Sequence, residues 1–290
     1  MTKYLIPILW FASISYSIAQ VKPVEENEVD EIIDNILMEE ESIDDFLYSA
    51  TNFQFLYLSL NYASDTYFSG RDIDVDQYNL RPQISYMHSK GFYGSLSGIY
   101  YSEFSPHWDV TTATAGYGNS IGKKKLLRYY ASYSQYFYSN DIEDLYNGTF
   151  NAGIGIHNKK RSLGTTLSGT YYLGGEHTYQ IVSRTYASFN LLKNPKHKIK
   201  FRPQISFITG TQLVDVSQVS ALKEETFNEN TETSDYTLIY SQINFPLLYS
   251  SKSFDIEFGY NLNFPSEIGM DTNLENTSFF NISLGYIIDL

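Results

Sequence analysis

Hydrophobic residues occupy alternate positions in twelve stretches between residue 53 and the end of the chain. In the last stretch, for example, Phe280, Ile282 and Leu284 alternate with polar or small residues. Because successive strand side chains point to opposite faces, this pattern predicts strands with one apolar and one polar face. Each stretch is close to the ~9–11 residues that a tilted strand needs to cross a membrane. The predicted strands are 53–63, 77–88, 92–102, 109–118, 126–138, 147–157, 162–172, 179–191, 198–208, 236–247, 254–264 and 279–290.

The final strand, at residues 279–290, favours a closed sheet. In an open sheet it would be an unprotected edge, whereas a barrel has no edges. After residue 19 no run of about 18 apolar residues occurs, so a membrane-spanning helix is not expected. We therefore predict an all-β protein, an antiparallel transmembrane β-barrel of twelve strands, with ten and fourteen strands as alternatives.

The connections between the predicted strands alternate in length and charge. Five short turns contain eleven Lys or Arg residues and no acid, whereas the longer loops contain nineteen acids and only two bases, Arg71 and Lys223. In bacterial barrels the short turns face the periplasm and the longer loops face outward. This asymmetry predicts a basic periplasmic rim and an acidic outer rim. The basic turns are 88–91, 118–125, 157–161, 193–198 and 249–253.

Composition agrees with a membrane barrel. Aromatic residues form 17% of the chain, with 27 Tyr and 19 Phe, which suits the aromatic girdles at the two membrane interfaces. The absence of cysteine excludes a disulfide framework and a lipid-anchor cysteine. The net charge is −13, and we expect no nucleic-acid partner.

Two segments precede the barrel. Residues 1–19 have a charged start, an apolar core and a small-residue cleavage site, which indicates a signal peptide. Residues 20–52 form a separate acidic region, predicted to be helical and periplasmic, and residues 53–290 form the barrel. Between residues 21 and 50 the region holds eleven acids and one base, Lys22.

The C-terminus carries a recognisable pattern: Ser283, then Gly285, then Ile288 and Leu290 as the closing hydrophobic residues. It resembles the insertion signal of Gram-negative outer-membrane barrels, although Leu290 stands where an aromatic residue is usual. The resemblance implies an exported protein in the cell outer membrane. It also implies outer-membrane lipid and the barrel-assembly machinery as partners.

Eight charged residues fall inside the predicted strands, all on the face opposite the apolar alternation. An outward Arg or Lys at mid-bilayer would cost ~2–4 kcal/mol, so this face is expected to line the lumen. One hypothesis is a selective constriction, and the other is a salt-bridged network that fills a narrow barrel. The residues are Arg81, Arg128, Arg184, Lys200, Arg202, Asp255, Glu257 and Asp289.

The acidic region ends beside the predicted basic rim. One hypothesis is that residues 28–48 fold against the periplasmic mouth or enter it as a gate, although exposed ion pairs contribute only ~0–1 kcal/mol each. The alternatives are a solvated tether or a docking strip, at residues 21–50, for a periplasmic protein. The outer loop 209–235 has its own alternatives: folding inward, binding divalent cations or remaining hydrated.

Two prolines lie in predicted strands within a repeated Arg-Pro-Gln-Ile-Ser motif. Because proline lacks a donor for the sheet, Pro82 and Pro203 are expected to mark bulges. The two motifs fall on strands of opposite direction, so they do not indicate duplicated halves.

Catalysis has little support in the sequence. His107 and His177 lie near acids in outer loops, but a plain surface role is favoured for both, and no phosphate loop or nucleophile elbow occurs. We expect no cofactor, no metal and no enzyme activity. The sequence favours a passive channel for small polar or anionic solutes; the alternative is a non-conducting barrel that docks a partner.

Overall fold

The computed structural model describes residues 54–122, 124–139, 146–174, 178–194, 196–211, 236–251, 253–267 and 274–290. The predictions for the signal peptide, the acidic region, His177 and most of the loop 209–235 lie outside these ranges. The described residues form fifteen hydrogen-bonded segments. They are β1 (Gln54–Ala63), β2 (Asn79–His88), β3 (Phe92–Tyr101), β4 (Trp108–Ile121), β5 (Leu127–Tyr138), β6 (Gly148–His157), β7 (Leu163–Leu173), β8 (Thr178–Ala187), β9 (Phe189–Lys193), β10 (Lys198–Phe201), β11 (Gln204–Gly210), β12 (Thr237–Asn244), β13 (Leu247–Ser251), β14 (Phe254–Pro265) and β15 (Thr277–Asp289).

The fifteen segments make twelve strands, because three strands are each interrupted once. Segments β8 and β9 are separated at Ser188, β10 and β11 at Arg202–Pro203, and β12 and β13 at Phe245–Pro246. All pairings between neighbours are antiparallel, and consecutive strands are neighbours around the whole sheet.

The sheet closes on itself at the first and last strands. β1 pairs with β15 in a register that places Leu60 opposite Leu284. At the same time β14 pairs with β15 on one side and with both β12 and β13 on the other. The predicted antiparallel barrel of twelve strands is therefore confirmed, and the alternatives of ten and fourteen strands are excluded.

The outer surface of the barrel is an apolar band. Large side chains such as Phe92, Phe150 and Ile156 are more than half exposed, and they belong to the apolar set of each strand's alternation. Neighbouring rings pack on this surface, as Phe92 does on Tyr117 and Tyr133 on Phe150. Among the described residues, no helix is long and apolar enough to cross a membrane.

Both ends of the barrel chain meet at one rim, where the Leu290 N–H donates to the Gln54 carbonyl oxygen at 2.9 Å. The short turns are at this same rim. Seven of their described lysines are exposed, whereas Lys198, at the start of β10, is buried. The exposed ones are Lys90, Lys124, Lys125, Lys159, Lys160, Lys193 and Lys196.

The two prolines that were expected to disturb the sheet behave differently. Pro82 lies inside an unbroken β2, and the register with β3 is the same on either side of it, so the bulge expected there is wrong. Pro203 does interrupt its strand. The matching interruption at Pro246 was not predicted; it lies across from the first, and the Arg202 N–H donates to the Pro246 carbonyl oxygen at 3.1 Å.

Candidate functional site: the barrel lumen

The lumen contains a polar cavity of about 370 Å³ in its outer half. On β3 to β7 its wall carries hydroxyl and amide side chains and no charge. Several of these bond across strands: Thr114 and Ser134 are 2.8 Å apart, and the Asn151 amide donates to Thr170 at 2.6 Å. The lining on this side includes Ser95, Ser97, Thr112, Thr114, Ser132, Ser134, Thr149, Asn151 and Thr170.

The opposite wall is braced by amide side chains. On one level Asn244 donates to Asn261, which donates to Asn281 at 2.8 Å. On the next, Gln242 donates to Asn263 at 2.9 Å, and Asn263 donates to Thr277 at 3.0 Å. These bonds link β12, β14 and β15 from inside the barrel and keep a hydrophilic surface toward the cavity.

Below the cavity, four tyrosines narrow the lumen, and we call them the tyrosine belt. The hydroxyl end of each ring packs on a glycine of the neighbouring strand, so closely that a Cβ there would approach the tyrosine to 2.0–2.6 Å. All four are nearly inaccessible to solvent. The pairs are Tyr57 on Gly285, Tyr93 on Gly116, Tyr130 on Gly153 and Tyr186 on Gly164.

Most of the charged strand residues lie at the level of this belt. Arg128 and Arg202 are 7% and 4% exposed, and Asp255 and Glu257 are 0% and 3% exposed. The Arg202 guanidinium carbon lies 3.8 Å from the centre of the Tyr186 ring, a cation–π contact. The Arg128 Nη2 donates to Thr166 Oγ1 at 2.7 Å. The belt is therefore a packed layer of rings and charges.

The remaining charged strand residues lie elsewhere. Arg81 and Arg184 line the cavity itself, and Arg184 Nε donates to Ser206 Oγ at 3.2 Å. Their strands are six apart in a ring of twelve, so the two arginines face each other across the lumen. Lys200 is half-buried beside Leu248, and Asp289 is exposed at the basic-turn rim.

The outer loop between β1 and β2 also enters the lumen. Thr66, Ser69 and Arg71 are buried, with Arg71 only 8% exposed, and Gly70 packs on the Tyr240 ring. Ser69 and Gly70 line the cavity. Arg71 was predicted only as one of two bases in the acidic loops, so the inward course of this loop was not predicted.

The residues of the C-terminal pattern divide between the two faces of β15. Ser283 faces the lumen and accepts a hydrogen bond from Asn61 at 2.7 Å, and Gly285 lies under Tyr57. Ile288 and Leu290 are exposed on the outer face. Their part in insertion stays a prediction.

Of the two loop histidines near acids, the structure describes His107. His107 Nδ1 is 2.9 Å from the Tyr101 carbonyl oxygen and its ring stacks on Tyr100. In the described part of the chain, no three His, Cys, Asp or Glu residues are grouped so that they could hold a metal.

The closed antiparallel sheet, the apolar outer band and the polar interior together decide the fold. It is that of an outer-membrane β-barrel. No family model matches the chain, and no curated protein matches it. It is similar to solved structures at 10–12% identity: a KdgM porin (TM-score 0.48, covering 79% of this chain and 98% of that one), an outer membrane channel from Pseudomonas putida F1 (0.46, 82% and 96%) and LpxR from Salmonella typhimurium (0.46, 79% and 99%).

One feature of the sequence could have indicated the tyrosine belt. Tyr57, Tyr93, Tyr130 and Tyr186 all occupy the polar face of their strands, where a large ring is unusual unless it packs inside the barrel. The partner glycines also lie on polar faces. Pairing each ring with its glycine, however, requires the register between strands, which the alternation does not specify.

Proposed function

We propose that this protein is a passive outer-membrane channel for small polar solutes, with a preference for anions. The observation that carries the proposal is the water-accessible cavity, which runs from the inward loop to the tyrosine belt. It is lined mainly by hydroxyl and amide side chains, with two arginines, Arg81 and Arg184, and one acid, Asp65. A barrel whose interior served only as filler would have no need of such a polar chamber.

Charge inside the barrel supports the preference for anions. The lumen face carries six bases, Arg81, Arg128, Arg184, Lys198, Lys200 and Arg202, against four acids, Asp255 and Glu257 on β14, Asp289 at the end of β15 and Asp65 in the inward loop. Charged side chains around a pore select permeating ions by sign, and they act more strongly where water is scarce. The excess of bases favours anions, while the packing of the belt keeps the conductance small.

The test is a planar-bilayer recording of the mature protein under a salt gradient, with Arg184→Gln and Arg202→Gln variants. The wild type should give a small, steady conductance whose reversal potential indicates anion preference. Neutralising either arginine should weaken that preference, and Lys160→Gln, an exposed rim residue, serves as the matched control. A reversal potential that the lumen variants leave unchanged would refute their role as a filter.

A non-conducting barrel is the second candidate, and the burial of the belt favours it. Tyr57, Asp255 and Glu257 leave almost no solvent-accessible surface at that level. In that case the acidic outer loops or the acidic segment would serve to dock a partner. Bilayer recordings that stay silent for a folded barrel would select this candidate.

We further propose that residues 21–48 associate with the basic rim. The segment joins the barrel at Gln54, on the same rim that exposes Lys90, Lys124 and Lys159. Single exposed ion pairs are weak and screened by salt, but a tethered segment acts at a high effective concentration. The association would place eleven acids across the periplasmic mouth.

The remaining features of the proposal concern export. A cleaved signal peptide at residues 1–19 and insertion through the C-terminal pattern would deliver the chain to the outer membrane of a Gram-negative cell. The proposal assigns the lumen no catalytic role and no cofactor.

A further inference from the structure

The loop from Ser64 to Tyr78 runs along one side of the outer mouth. It leaves β1, and its tip, Phe68 to Arg71, lies against β14, β15 and β12. From β1 to β12 is three of the twelve strand spacings, each about 4.8 Å, so the loop follows the barrel wall for about 14 Å. Ser69 and Gly70 line the cavity, so the tip lies inside the ring of strands and is part of the mouth itself.

The tip is a tight, internally bonded turn. Phe68 and Arg71 exchange both backbone hydrogen bonds, at 2.9 and 2.8 Å. Ser69 and Gly70 between them have φ values of 48° and 81°, and the glycine adopts this left-handed conformation without steric cost. Gly70 also has no side chain to hold the turn away from Tyr240, where a Cβ would lie 3.1 Å from the ring.

Three bonds hold the turn to the barrel wall and to itself. Arg71 Nη2 donates to the Ser266 carbonyl oxygen at 2.6 Å, and Nη1 donates to the Ser69 carbonyl oxygen at 3.2 Å. Thr277 Oγ1 donates to the Gly70 carbonyl oxygen at 3.0 Å. The guanidinium thus bridges the end of β14 and the turn, which a single ammonium on a flexible stem does poorly.

The neighbouring Tyr67 fixes the base of the loop. Its hydroxyl lies 2.8 Å from the Asp65 carboxylate and 3.0 Å from the Ser278 carbonyl oxygen. Burial, with the hydrogen bond to Asp65 as a further cause, raises the pKa of Tyr67, so the hydroxyl keeps its proton well into the alkaline range. The loop is anchored at its base on β15 and at its tip on β12, β14 and β15.

From this arrangement we propose that the turn Phe68–Arg71 is the outer size filter of the channel, and that Arg71 is the residue that holds it closed. A solute that enters the cavity passes between the turn and the hydroxyl wall of β3 to β7, so the position of the turn sets the largest solute admitted. This inference rests on the proposed channel function and adds a second restriction above the tyrosine belt.

The test measures entry into the cavity without requiring passage through the belt. The natural chain has no cysteine, so Thr114→Cys places a single thiol in the cavity wall below the turn. In lipid nanodiscs, its labelling rate is measured with a small methanethiosulfonate and with a maleimide that carries a polyethylene glycol chain. The rates are compared with Arg71 intact, with Arg71→Ala and with Arg71→Lys.

With Arg71 intact, the small reagent should label the thiol and the large one should label it far more slowly. Arg71→Ala should raise the rate for the large reagent by about tenfold, the factor expected when a charge-assisted hydrogen bond is lost, and change the rate for the small one little. Arg71→Lys keeps the charge and should give a smaller rise. Arg161→Ala, which removes an arginine at the opposite rim, is the matched control and should change neither rate.

Two results would overturn the proposal. One is a large-reagent rate in a folded Arg71→Ala barrel that equals the rate in the control. The other is equal labelling by both reagents with Arg71 intact. A silent bilayer recording combined with the expected labelling would refute the channel and leave the turn as a filter for the cavity alone.

Discussion

At the scale of single residues, the contact between Arg202 and Tyr186 shows how this lumen holds charge. The guanidinium lies over the ring, and the hydroxyl end of the ring packs on Gly164. A charge taken out of water needs compensating partners, and the ring supplies one of them. The glycine is needed because any side chain there would displace the ring.

Replacing Tyr186 should separate the ring's contribution from its hydroxyl. Tyr186→Phe keeps the ring and should change the free energy of unfolding little, whereas Tyr186→Leu should lower it by ~1–2 kcal/mol through loss of the cation–π contact. Urea unfolding of the refolded barrel in lipid vesicles measures both. Equal losses for Phe and Leu would show that the hydroxyl, and not the ring, matters there.

At the scale of strands, alternation was enough to find all twelve, because a barrel in a membrane must present an unbroken apolar face to lipid. Phe254, Phe258 and Tyr260 illustrate this on β14, where each is exposed. The interruption at Pro246 was not predicted, because alternation continues across it. The packing below the cavity was not predicted either, because it depends on which residues of adjacent strands are opposite each other.

The same limit applies to the site. The sequence could assign charged residues to the polar face of strands, but it could not separate Arg184, which lines the cavity, from Arg202, which is buried in the belt. The burial of Arg71 was not predicted, because loops carry no periodic pattern. Its burial results from the long-range contact with Ser266, 195 residues away in sequence.

Two glycines on neighbouring strands give a matched test of the ring–glycine packing. A Cβ on Gly153 would lie 2.4 Å from the Tyr130 ring, whereas a Cβ on Gly169 would meet nothing nearer than 3.9 Å. Gly153→Ala should therefore cost ~1–3 kcal/mol of stability through overpacking, and Gly169→Ala should be nearly neutral. Urea unfolding compares them; similar costs would contradict the packing described for the belt.

For the molecule as a whole, the two ends of the barrel differ. The exposed lysines lie at the rim where Gln54 and Leu290 meet, and the inward loop lies at the other. The cavity is therefore bounded by a different structural element at each end: the anchored turn on the outer side and the tyrosine belt toward the basic rim.

Removing residues 21–48 tests the proposed association of the acidic segment with the basic rim. The full chain should show a salt-sensitive conductance, because salt screens the attraction between segment and rim. The truncated chain should conduct more at low salt and lose that sensitivity. Identical salt responses of the two forms would rule out the association.

The proposed channel requires that solutes cross the lumen and that the tyrosine belt limits their flow. Single-channel recordings should compare the mature wild type with a Tyr93→Ala/Tyr130→Ala double variant, which removes the two rings that form the cavity floor. We expect a small anion-selective conductance in the wild type and a severalfold larger one in the variant. No conductance from either protein, with the barrel shown to be folded, would refute the channel.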